Sequence, residues 1–209
     1  MLYNKLFAAS VEQLLAGHFI CPFAWPDEFR YLSNEDNFHQ VQDYLRQVGK
    51  ALTNAQDSYF YLSYIELEAP EKRTITARFK ETQLELRPVV EFVALLMRAR
   101  NSDATMIPGD EVRFSELLRI IEADSSLQKD LERLGFIIKS AAKEKLTDRL
   151  MAVFRYLLNA NILIQPESTV DVYRATGKLG YIYDLMEFIA VNKPDSFVNE
   201  EQPDQGELI

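Results

Sequence analysis

Apolar residues return at helical spacing in several long stretches of this chain, and two of those stretches lead into strand-forming runs around a short polar turn. From Tyr3 to Leu15 the face is drawn by Leu6, Phe7, Val11, Leu14 and Leu15. Gly17 is placed to end that helix, His18-Phe19-Ile20 suits a short strand, and a turn is expected at Pro22 and Pro26. Phe38, Val41, Tyr44, Leu45 and Val48 form the next stripe and predict a helix over 34–48. Asn34 or Asn37 caps it, and Gly49 stands where a left-handed C-terminal cap belongs. Ala51-Leu52-Thr53, the polar turn Asn54 to Asp57 and the aromatic run Tyr59 to Tyr64 then read as a β-hairpin.

Glu66 to Glu85 is charged and weakly periodic, and part of it reads as a connector helix. Pro88 is expected to open the most apolar helix, ending near Arg100. Val89, Phe92, Val93, Leu96 and Met97 share one face, which Val90, Ala94 and Leu95 widen around the circumference. After a loop over 101–109, Phe114, Leu117, Leu118 and Ile121 mark a short helix with Asp110 near its cap, and 126–134 supports another turn or two. Lys143 to Asn159 is the second strong helix, with Leu146, Leu150, Val153, Phe154, Leu157 and Leu158 in register. It runs into Ile162-Leu163-Ile164, the turn Gln165 to Ser168, and Val170 to Tyr173, a second hairpin. An amphipathic helix over Tyr181 to Ala190 and a tail follow.

Helix, short helix, long amphipathic helix and hairpin occur twice in that order, which is the plan of a winged helix. The expected fold is mainly α with small β-hairpin wings, in tandem winged-helix domains over 1–65 and 88–175. Residues 66–87 connect them, 176–191 form a C-terminal helix, and 192–209 form an acidic tail. That tail carries five acids, one lysine and two prolines, a composition that does not order itself alone.

Composition narrows the chemistry. The 209 residues hold 32 acidic and 23 basic side chains, a net charge of −9, so the chain is a poor candidate for simple phosphate neutralisation. With 47% apolar residues it can build real cores. The longest apolar run, Val89 to Met97, includes Glu91 and is far shorter than the ~20 residues that span a bilayer. No signal-peptide plan is visible, and the single cysteine, Cys21, fits a reducing compartment; a soluble cytoplasmic protein is expected. Only seven glycines are present, and the close pair Gly177 and Gly180 follows a hairpin, so no phosphate-cradling loop exists.

Catalytic chemistry finds little support. His18-x-x-Cys21 has ligand types but no second pair to complete a structural zinc site. Cys21 as a nucleophile would need His39 as base and a cationic neighbourhood that the sequence does not supply. Acidic pairs such as Asp110-Glu111 read as caps, and Glu200-Glu201 as solvated tail. No catalytic, cofactor-binding or metal-ligating residue is assigned, and no enzyme activity or cofactor is expected.

Lys143-Glu-Lys-Leu146-Thr-Asp-Arg149-Leu150, continuing through Phe154-Arg155-Tyr-Leu157-Leu158 into Asn161-Ile162-Leu163, is a long helix charged at its start and feeding an apolar wing strand. With Gly17-His18-Phe19-Ile20, the Phe60-Tyr61-Leu62 wing and the Pro88-to-Arg100 helix, it resembles the kleisin-interacting tandem winged-helix proteins, in their MukE-like and MksE-like bacterial condensin branch. The resemblance spans roughly residues 1–190 in order and spacing. It implies a non-enzymatic homodimeric subunit that binds a MukF/MksF-like kleisin. Through the kleisin it would join a MukB/MksB-like SMC ATPase on chromosomal DNA, for chromosome segregation or plasmid defence, in the cytoplasm at the nucleoid. A free-standing winged-helix transcription regulator is the alternative, which the net charge disfavours.

Three sets of residues are candidates for contact. Lys139, Lys143, Lys145 and Arg149 precede or open the second long helix, with Lys145 and Arg149 one turn apart, and Arg113 and Arg119 lie on the preceding short helix. They suit DNA phosphates, although Glu144 and Asp148 alternate with them as on an ordinary solvated or protein-facing helix. Tyr59, Tyr61 and Tyr64 suit a dimer or partner interface, or the core of their own domain. In the tail, Phe197, Val198, Leu208 and Ile209 are apolar anchors of the kind a folding-on-binding segment uses, the alternative being a solubility tail.

Overall fold

The computed structural model describes residues 4–55, 57–65, 86–139, 145–166 and 169–192. The connector helix expected within 66–85 and the tail beyond 192 lie outside those residues.

Helix α1 runs Lys5–Leu15, and Asn4 caps it by accepting from the backbone N–H groups of Leu6 and Phe7, each at 3.1 Å. Gly17 follows at φ +85°, the left-handed exit that favours glycine. Pro26 does not sit in a turn but begins α2, Pro26–Leu32. A proline at the first helical position loses no internal hydrogen bond, and Asp27 and Glu28 in the same turn face the positive end of the helix dipole. Helix α3 spans Glu35–Arg46, and of the two cap candidates Asn34 serves, accepting from Asn37 N–H at 3.1 Å. Val41 and Leu45 of its stripe are fully buried, whereas Tyr44 and Val48 stand outside the core. Strands β1, Lys50–Ala55, and β2, Tyr59–Tyr64, pair antiparallel with Leu52 opposite Leu62. The expected strand at His18-Phe19-Ile20 reduces to one residue, Ile20, bridged to Phe60 with N–H···O distances of 2.8 and 2.9 Å.

Helix α4 covers 86–99, so Pro88 lies inside its first turn and Leu86 already belongs to the core. Leu95 widens its buried face as expected, but Val90 is exposed. Strand β3, Glu111–Arg113, replaces the expected approach to a short helix; only Val112 of its three residues is buried, too short a pattern to read as a strand. Helix α5 follows directly as Phe114–Ala123. Asp110 does not cap it but accepts from Ile107 N–H in the preceding turn, and the first turn of α5 is met instead by Asp171. Asp171 takes hydrogen bonds from Ser115 N–H at 2.9 Å and Ser115 Oγ at 2.6 Å, which hold its carboxyl below the usual range. Helix α6, Ser125–Ile137, is longer than expected because Asp124 caps it and Leu127, Leu131 and Leu134 continue one buried face.

Helix α7 runs Leu146–Asn159, and β4, Leu163–Ile164, and β5, Val172–Ala175, complete the second wing. The sheet order is β3-β5-β4, antiparallel throughout. In the first half Ile20 flanks β2 as β3 flanks β5, so both halves have the strand order of a winged helix. The architecture is mainly α with small antiparallel wings, in agreement with the sequence.

Two apolar cores correspond to the two wings. One gathers Val11, Leu14, Ile20, Leu32, Val41, Leu45 and Phe60. The other centres on Phe154, whose ring meets Phe92, Phe114 and Tyr173 at 5.8, 5.3 and 4.6 Å, all edge-on. The last helix, α8, Gly177–Asn192, begins within a residue of the expected 176–191 segment and four residues ahead of the apolar pattern at Tyr181, because Thr176 caps it, its Oγ1 accepting from Lys178 N–H. It is not a one-faced amphipathic helix. Leu179, Ile182 and Ile189 enter the second core, while Gly177, Tyr181 and Asp184 face the first wing.

Candidate interaction site

A winged helix presents the helix before its first wing strand outward, so α3 and α7 are the two recognition-type helices here. They differ in what they expose. Helix α3 begins with Glu35 and Asp36, and its Arg46 is paired with Asp43 at 3.3 Å. Its outward face is acidic. Helix α7 exposes Thr147, Asp148 and Arg155, with Lys145 just before it.

The basic candidates do not form one helix face. Lys145 is the extended N-cap residue of α7 (φ −86°, ψ 138°), one turn before Arg149 but at the mouth of the helix rather than within it. Its carbonyl accepts from Arg149 N–H, and Arg149 is half-buried. Lys139 is exposed in a left-handed conformation just past α6, and Lys143 lies outside the described residues. Arg113 is exposed at the end of β3, beside Asp171, and Arg119 is exposed on α5. Lys139 and Lys145 therefore flank the segment leading into α7, while Arg113 belongs to the sheet edge.

The tyrosines of the first wing divide by position. Tyr59 is turned inward, only 4% exposed, and its hydroxyl donates to Asp184 of α8 at 2.7 Å. Burial, and then the Asp184 carboxylate, push its pKa strongly upward, so the phenol stays protonated. Its place is therefore inside the chain rather than at a free surface. Tyr61 is half-buried, and with Phe19 and Tyr181 it completes a ring cluster whose centroids lie 4.9–5.7 Å apart. Tyr64, at the far end of β2, lies under the Lys50 ammonium at 3.4 Å.

These contacts make a seam between the first wing and the second half, and glycines make it possible. A Cβ on Gly177 would fall 2.8 Å from Tyr59 Cβ and 2.9 Å from Cys21 Cβ. A Cβ on Gly109 would fall 2.6 Å from the Phe23 ring. The Gly177 N–H donates to Cys21 Sγ at 3.2 Å, so the buried thiol is an acceptor in this seam. Across from it, Tyr183 donates to the Met106 carbonyl at 2.7 Å, anchoring α8 to the 101–109 loop. The glycine pair was visible in the sequence, but its purpose needs the neighbouring Tyr59 and Cys21. Among the described residues no group of three or more His, Cys, Asp or Glu side chains is placed to hold a metal ion, and no helix is long and apolar enough to cross a membrane.

Two wings of one topology, bound through a glycine-and-tyrosine seam, define a tandem winged-helix protein. The model of the condensin complex protein MksE family matches residues 5–177, covering both wings and ending at the first residue of α8. The chain belongs to that family, and it is a condensin complex subunit with partners in an SMC-type complex. No curated protein matches it.

Proposed function

We propose that this chain is a non-enzymatic scaffold subunit that binds a kleisin and, through it, an SMC ATPase of a MukBEF- or MksBEF-like condensin. The observation that carries the reading is the family match across both winged-helix units and the seam that joins them. The two units are the domains, 1–65 and 88–175, and α8 ties them together. The chain acts as a homodimer, and Tyr61 and Tyr64 contribute to its partner-facing wing. Phe197, Val198, Leu208 and Ile209 anchor the tail to the kleisin or SMC head.

DNA is met within the assembled complex, at Lys139, Lys143 and Lys145 ahead of α7, with Arg113, Arg119 and Arg149 of the same unit nearby in the chain. The acidic α3 face and the net charge of −9 weigh against a free-standing regulator that binds an operator alone. The work is done at the nucleoid, in chromosome organisation or plasmid defence.

Affinity purification of the tagged chain from its native cell tests this. Recovery of a kleisin and an SMC ATPase in stable proportion is the expected result. Recovery of neither, or nanomolar binding of the isolated chain to one operator at physiological salt, would overturn it.

A further inference from the structure

An open groove of about 520 Å³ lies in the first unit, where the end of α2 and the start of α3 meet the β1–β2 turn. Phe29, Leu32 and Phe38 supply its apolar wall, and the rings of Phe29 and Phe38 rest against the buried Phe60 at 5.5 and 6.0 Å. That backing holds the wall in place without a ligand. Glu35, with a side chain 90% exposed, and Asp57 line the same groove. No lysine or arginine is among the described residues that line it.

The position matters as much as the shape. In a winged helix the exposed start of this helix is the part offered to a DNA groove, where phosphates demand positive charge. Here that start carries Glu35 and Asp36, which repel phosphate. An apolar wall beside two carboxylates, by contrast, is complementary to a peptide with an apolar anchor between cationic side chains.

We propose that this groove docks a cationic amphipathic segment of another subunit of the complex, its aromatic or branched aliphatic anchor seated on Phe29 and Phe38 and its lysines or arginines paired with Glu35 and Asp57. The inference rests on the condensin-subunit reading and adds the site and the chemistry of the contact. It also assigns the first unit's recognition helix to protein rather than DNA.

Photo-crosslinking in the intact complex tests it, with p-benzoylphenylalanine in place of His39, an exposed residue lining the groove. The expected adduct maps to a segment of another subunit with net positive charge around an apolar residue. Adding Glu35→Lys and Asp57→Asn should cut its yield roughly tenfold, the effect of two lost charge contacts, while the melting temperature stays unchanged. Adducts on acidic or uncharged segments, on DNA, on this chain itself, or on nothing overturn the proposal, as does a yield indifferent to the two substitutions. Co-purification is scored in the same sample. A chain that assembles without the expected adduct refutes the groove alone, and a chain that purifies without other subunits refutes both readings.

Discussion

In the first unit, a hairpin of two six-residue strands carries the sheet and the flanking strand shrinks to Ile20; in the second, β3 is a true strand and the wing pair is short. The first recognition helix opens on Glu35 and Asp36, whereas the second is preceded by Lys145 and exposes Arg155. The topology is shared, so topology does not decide what each unit touches. The difference lies in which charges the helix entry exposes and in what the wing packs against. The first wing leans its Tyr59 edge on α8, and so one unit's wing is part of the other's support.

That coupling can be broken. Phe154→Ala should cost about 3–5 kcal/mol, since it removes a fully buried ring touching three others. Trp25, the only tryptophan, reports the first unit, so its fluorescence should lose structure together with the circular dichroism of the whole chain. Two separated transitions in the unsubstituted protein would show the units to be independent. Gly177→Val should cost about 1–3 kcal/mol through overpacking against Tyr59 and Cys21, and should separate the two transitions.

Tyr59→Phe is smaller, about 0.5–1.5 kcal/mol for one hydrogen bond to Asp184. It also has a pH signature. The folded-state pKa of Tyr59 is raised, as are those of Tyr181 and Tyr183, so the folded chain keeps protons that the unfolded chain releases near pH 10. Stability should be level below that pH and fall as pH rises above it, less steeply in Tyr59→Phe. Urea titrations between pH 8 and about 11 would measure the slope.

The mildest expected effect belongs to the second helix entry. Lys139→Glu with Lys145→Glu, both exposed, should weaken DNA binding by the assembled complex several-fold, alike across sequences and with a shallower salt slope. Unchanged binding by the folded variant would return these lysines to the solvated surface. Arg149 is left out because it is half-buried and its reversal would also disturb α7.

The long helices and both hairpins were legible because their apolar stripes, Asn34 and Gly49 are local signals. What the sequence hid depends on distant partners. Strand β3 has one buried residue and exists because β5 pairs with it. Pro26 looks the same before a turn and at a helix start, and the acids after it were the deciding signal. Helix α8 lacked a single apolar stripe because it packs on two sides, and its Thr176 cap was the local clue. The seam was the least readable feature, since Gly177 and Tyr59 are distant in sequence and only the fold brings them together.

Native mass spectrometry of the purified chain mixed with the kleisin encoded in the same genome tests the proposed kleisin-binding scaffold role most directly. A defined complex containing both chains, formed without nucleotide or DNA and retained when the seam is intact, is the predicted result. Separate, unassociated masses for the two folded proteins would contradict it.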